Sequence, residues 1–208
     1  MRRVLVAVIA VVAVVVAMAA AAAAGTVGRR GDGSTEWRHG ANDWMHGSVV
    51  SSEFAYLAEM VAHHEEAVAA ARELDRTSRP QMRGFGAAIV ETQSAQIDQM
   101  TAWLARWYPG RSTDVDYEPM MRDLSGLSGD ELDRIFLEDM IGHHMAAVMM
   151  SQRLLVRGLA DHEEVANLAA SIRDEQRTEI FQMRSWPAEW FDASGCPGSR
   201  RDTGTGMV

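Results

Sequence analysis

The sequence predicts an all-α domain, a four-helix bundle made of two repeated helical hairpins joined by a long crossover. Three observations lead there. Four stretches between residues 51 and 186 carry apolar residues at helical spacing. Proline and glycine signals break these stretches into two pairs, with about twenty residues of mixed composition between the pairs. The two pairs also resemble each other: Met60-Val-Ala-His63-His64 returns as Met140-Ile-Gly-His143-His144.

The chain begins with an export signal. Arg2 and Arg3 precede an uncharged run from Val4 to Ala24 that ends in alanines. Its 21 residues are enough to cross a bilayer. A cleaved signal peptide and an uncleaved anchor at residues 4–24 therefore both fit, and the alanine-rich end favours cleavage. Either way the working domain is expected outside the cytoplasm, periplasmic or extracellular. Residues 25–49 are rich in glycine, serine and polar side chains and read as a linker. The bundle is expected over 50–190, and 191–208 reads as a disordered tail.

The first helix is expected from Ser51 to about Leu74, with Ser52 as N-cap and Leu57, Met60, Val61, His64, Val68 and Ala71 on one face. Thr77-Ser78-Arg79-Pro80 closes it. A second helix, about Gln81 to Trp107, buries a stripe through Ile89, Gln93, Ile97, Met100 and Leu104, and Pro109-Gly110 ends it. The third starts at Ser128-Gly129-Asp130 and runs to about Arg157, with Leu137, Met140, Ile141, His144 and Val148 inward and Gly158 as its stop. The fourth is expected from about Asp161 to Trp186, halted by Pro187, with Gln176, Ile180 and Met183 on one stripe.

The repeats span about 51–107 and 130–186. In the second helices Gln93, Gln96, Ile97, Met100 and Trp103 align with Gln176, Glu179, Ile180, Met183 and Trp186. The offset moves from 80 to 83, so the second hairpin turn is three residues longer. The connection is long enough to run back along the bundle, as in ferritin-like folds. Pseudo-two-fold symmetry then brings the two His-His helices together.

Composition narrows the function. A net charge of −9 opposes binding to a phosphate backbone, so nucleic acid is set aside as a partner. The single cysteine, Cys196, allows no intramolecular disulfide and reads as an incidental tail thiol. Fourteen methionines against five phenylalanines are unusual, and the thioether is a soft neutral ligand. On a helix Met60 flanks His63 and His64, and Met140 flanks His143 and His144. His64 and His144 are expected inward, with His63 and His143 toward seams between helices. Gln93 and Gln176 are expected to hydrogen-bond the inward rings. Met145 and Met149 are expected to face outward or fill seams, and Met120-Met121 to pack.

Imidazole plus thioether without cysteine suits Cu(I) and tolerates Cu(II). Zinc would more often add a further histidine, cysteine or carboxylate. A di-iron bundle needs bridging glutamates and Glu-x-x-His motifs, which these helices lack. Glu59 and Asp139, four residues before His63 and His143, read equally well as carboxylates orienting an imidazole. The linker cluster His39…Trp44-Met45-His46 reads as chance composition before an extra copper site. No catalytic constellation stands out.

Phe136-Leu137-Glu138-Asp139-Met140-Ile141-Gly142-His143-His144-Met145-Ala146-Ala147, with Glu179-Ile180-Phe181-Gln182-Met183-Arg184-Ser185-Trp186, resembles the exported proteins of domain-of-unknown-function family 305 over roughly residues 50–190. The resemblance implies a ferritin-like four-helix bundle, periplasmic or secreted, linked in some members to copper binding and tolerance. The chain departs from the family pattern in its first repeat, where Ala70 stands opposite Met150 and Glu65-Glu66 opposite Met145-Ala146. The second repeat is therefore expected to be the stronger thioether site.

The reading that results is a non-catalytic, exported copper-binding protein. Its expected ligands are Met60, His63, His64, Met140, His143, His144 and Met150, with Met100 and Met183 from the partner helices. Two alternatives compete with it: a ferritin-like redox enzyme using iron or copper, and a structural or partner-binding bundle without metal. Pairing of two bundles into a homodimer that completes a site is compatible with the same sequence.

Overall fold

The computed structural model describes residues 50–191, apart from the side chains of 187–189. The leader, the linker cluster at His39–His46 and Cys196 lie outside that range. Helix α1 covers Glu53–Arg72 and tightens into a single 3₁₀ turn, Glu73–Arg76. Helix α2 covers Pro80–Trp107, α3 Gly129–Val156 and α4 Glu163–Trp190. The architecture is all-α, two hairpins joined by a long crossover, as the periodicity predicts. Among the described residues no helix is long and apolar enough to cross a membrane.

Most helix ends follow local chemistry. Ser52 caps α1, its hydroxyl accepting from Ala55 N at 3.2 Å. Pro80 occupies the first turn of α2, where its missing N–H costs nothing. Gly158 adopts φ +59° immediately beyond α3, the left-handed conformation that ends a helix. The exception is α4, which the sequence predicts to stop at Pro187 but which continues to Trp190. One local and one tertiary contact hold the extra turn: Trp190 stacks on Trp186 one turn back at 5.0 Å, and the Arg79 guanidinium from the other hairpin lies 5.2 Å from the Trp190 ring. These contacts offset the hydrogen bond that proline removes.

Helices α1 and α3 run antiparallel through the middle, each backed by its hairpin partner. Their contact is built by repeat-related residues. The Tyr56 and Ser151 hydroxyls hydrogen-bond at 3.0 Å in the interior. Their counterparts, Phe136 and Ala71, share the apolar cluster at the opposite end. There Phe85 meets Trp186 edge-to-face at 5.2 Å.

Each end of the bundle carries a buried acid bound by a base from the other hairpin. Glu53 accepts from Tyr108 Oη at 2.9 Å, from His162 N at 2.8 Å and contacts His162 Nδ1 at 2.6 Å. Asp133 accepts from Arg79 at 2.5 Å. Burial and the Glu53 carboxylate push the Tyr108 phenol up to about 12, so it remains a donor. Between the two apolar clusters lies a polar layer of four histidines.

Candidate metal centre

His63, His64, His143 and His144 are all fully buried. The expectation that only His64 and His144 turn inward is therefore corrected. His63 and His143 do lie in a seam, the one between α1 and α3, where their rings stack with centroids 3.6 Å apart. The crossover closes that seam. Tyr117 meets His63 edge-on at 6.3 Å, and its hydroxyl bonds Glu66 on α1. Glu66 Oε1 accepts the amides of Met120 and Met121, each at 2.8 Å. Periodicity on one helix could not show that a loop buries its second histidine.

Three of the rings have their tautomers set by their partners. His63 Nε2 lies 3.0 Å from the His143 carbonyl, which can only accept, so that nitrogen carries the proton. His64 Nε2 lies 2.9 Å from Gln96 Oε1, and the Gln96 amide nitrogen donates to Glu175 at 3.0 Å, which fixes the amide's orientation. His144 Nε2 contacts the Glu179 carboxylate at 2.6 Å. In each ring Nδ1 is left as a lone pair, buried and without a protein partner. An unmatched buried polar atom costs about 1–3 kcal/mol, and a lone pair held free beside a partnered N–H is the form in which imidazole binds a metal.

Gln93 and Gln176 do not hold the rings as expected. The bonds come one helical turn further on, from Gln96 and Glu179. The Gln93 carbonyl and the whole Gln176 amide have no partner in the protein. Asp139 does not orient His143 either; Arg122 takes it in a paired bridge at 2.7–3.0 Å. The carboxylates at the histidines are instead Glu66 and Glu179, both beside rings of the second repeat. The sequence signal for Glu179 was its alignment with Gln96, and for Glu66 its departure from Ala146.

Burial keeps three of the rings neutral. Desolvation and three neighbouring imidazoles hold His63 well below its ordinary range. Burial takes His64 down to about 3 against a weaker pull from Gln96. His143 is also lowered by burial, opposed by Glu66. Burial raises the Glu66 carboxyl, but His143, Tyr117 and the Met121 amide outweigh it, and the acid is net lowered. His63, His64 and His143 are thus deprotonated near neutral pH, as ligation requires.

Methionines flank the layer on both sides. Met60 and Met100 are buried in one apolar cluster, Met140 and Met183 in the other. Met150 is half-buried and packs against the Met60–Met100 cluster, while Ala70 lies with Met140 and Met183. Antiparallel packing of α1 on α3 therefore moves Met150 away from its own repeat. The Met60 end thus has three thioethers, while the Met140 end has five, Met82, Met121 and Met145 lying there besides Met140 and Met183. Met149 is exposed, and Met145 is half-buried against the Met140 cluster. Met121 packs on that cluster too, from the crossover. Among the described residues no three His, Cys, Asp or Glu side chains are grouped to hold an ion.

Solved structures share this fold. CopM in its Cu(I)-bound form is 26% identical with a TM-score of 0.60, covering 67% of this chain and 98% of CopM. CopM has also been solved with Cu(II), with silver and in the apo form. A DUF305 fragment from Deinococcus radiodurans is 31% identical, TM-score 0.58, over 66% of this chain and 95% of the fragment. A DUF305 protein from Streptomyces coelicolor, assigned as secreted, has the same fold at 24% identity and TM-score 0.59, over 66% and 93%. None of the curated proteins matches the chain. The model of the family described as a domain of unknown function, DUF305, matches residues 53–121 and 111–187, and the chain belongs to that family.

Proposed function

We propose that this chain is an exported copper-binding protein that sequesters the ion or passes it on. The observation that carries the reading is the buried histidine layer, with its free Nδ1 lone pairs, between two methionine clusters. Met60, Met100, Met150, His63 and His64 would serve one end, and Met140, Met183, His143 and His144 the other. Neutral imidazoles and thioethers bind without adding negative charge, which favours Cu(I) and admits Cu(II) through nitrogen. The Nε2–H partners hold the rings in the ligating tautomer. CopM, solved with Cu(I), Cu(II) and silver, supports the choice of metal. Export rests on the N-terminal run of residues 4–24, and the similarity to a secreted relative supports it.

Metal analysis and titration of residues 25–208 with Cu(I), Cu(II), Zn(II) and Fe(II) test the reading. Copper should bind in preference to iron and raise the melting temperature. The paired change His143→Ala with His144→Ala should lower copper stoichiometry more than helicity. Undiminished copper uptake by that variant would refute the assignment.

A further inference from the structure

We propose that Glu66 and His143 form a second kind of cation site, for a borderline divalent ion of the Zn(II) class, on the α1–α3 seam beneath the crossover. The inference rests on the copper-binding reading for the neighbouring soft-ion sites and shares His143 with it, Nε2 facing Glu66 and Nδ1 being left for the soft ion. His143 is the one ring of the layer with neither nitrogen hydrogen-bonded, and its Nε2 is fully buried. That nitrogen lies 3.3 Å from Glu66 Oε2, yet the two are not aligned as a hydrogen bond. The spacing suits a shared ion. Two ligands of a tetrahedral ion with bonds of about 2.0–2.1 Å lie roughly 3.3 Å apart, each directing a lone pair at the metal rather than at the other ligand.

The carboxylate can be reached from solvent. Glu66 lines an open cleft of about 230 Å³ with Glu73, Met121, Arg122 and Asp123, where Arg122 is paired with Glu138 and Asp139 and Glu73 with Arg76, so Asp123 and Glu66 supply the acid that attracts a cation. Glu66 Oε1 is occupied by the amides of Met120 and Met121 and holds the crossover in place. Oε2 carries only the Tyr117 hydroxyl and the approach of His143, so an ion displaces one exchangeable bond and leaves the crossover anchored. Water from the cleft completes the coordination. Carboxylate and imidazole together suit a harder ion than the thioether clusters do. The repeat counterpart of Glu66 is Ala146, so the repeat does not duplicate this pair, and the carboxylates at His144 and His162 are hydrogen-bonded to their rings.

Calorimetric titration of the full chain with Zn(II) and, separately, with Ag(I) tests this. One Zn(II) should bind, and Glu66→Gln should weaken it by about tenfold or more while leaving Ag(I) stoichiometry unchanged. Tyr117→Phe, which removes the competing hydroxyl but keeps the carboxylate, should retain or tighten Zn(II). Absence of Zn(II) binding, equal affinity in Glu66→Gln, parallel loss of Zn(II) and Ag(I) in Glu66→Gln, or loss of Zn(II) in Tyr117→Phe would each overturn the proposal. Zn(II) bound through Glu66 by a chain that takes up no Ag(I) supports this site and refutes the soft-metal reading instead.

Discussion

Acidifying the metal-free protein from about pH 7.5 to about pH 5 should weaken the bundle, because its histidine layer is built to stay neutral. Burial pushes His64 from its ordinary value of 6.5 down to about 3 in the folded chain. The unfolded chain therefore takes up the proton first. The stability tied to this ring is present above about pH 6.5 and is lost as the pH falls toward about 3. At about pH 5 the unfolded imidazole is almost fully protonated and the folded one almost fully neutral, a difference of about 2 kcal/mol from His64 alone. His63 and His143 are lowered by the same burial and act in the same direction. Against a typical total of about 5–15 kcal/mol this is a large share. Denaturant unfolding of residues 25–208, followed by helical circular dichroism, should show the midpoint falling with pH at constant slope. His64→Gln keeps an amide for Gln96 to bond and removes the titrating ring, so its pH dependence should be shallower by one proton. Equal stability at the two pH values, or an unaltered dependence in His64→Gln, would refute this account of the layer.

Two further outcomes follow from the packing. A Cβ on Gly86 would lie 2.7 Å from the Ala71 carbonyl and 3.0 Å from Leu74 Cβ, so Gly86→Ala should destabilise by about 1–3 kcal/mol. Gly84→Ala, with open space around it, should stabilise by about 0.5–1 kcal/mol, and thermal melts of the two variants separate the effects. For the methionines, a double-mutant cycle on Ag(I) affinity distinguishes repeat-wise from composite sites. Met60→Leu and Met150→Leu should couple, whereas Met140→Leu and Met150→Leu should add, since leucine keeps the volume and removes the thioether. Coupling of Met150 to Met140 alone would restore the repeat-wise assignment.

Much of this molecule is legible in the chain itself. The helix faces, the serine cap, the glycine stop after α3 and the duplicated hairpin all follow from local rules that act over a few residues. The 83-residue offset already pairs Gln96 with Glu179, and both turn out to hold an imidazole. The α4 terminus is misjudged because Pro187 is read for its own backbone, while the turn beyond it is held by Trp186 and by Arg79 of the other hairpin. His63 and His143 are placed in a seam correctly, but their burial depends on Tyr117, which lies 54 and 26 residues away in sequence.

By itself, the sequence determined that this is an all-α bundle of two hairpins with histidines and methionines at matching positions, because periodicity, capping and spacing are encoded residue by residue. Tertiary structure alone decided how those side chains combine. Antiparallel packing of α1 on α3 puts Met150 with Met60, gives Ala70 to the Met140 end, and brings Glu66 to His143. No spacing along one helix encodes these pairings, since they arise from the direction and register of two helices relative to each other and from the path of the loop that joins the hairpins.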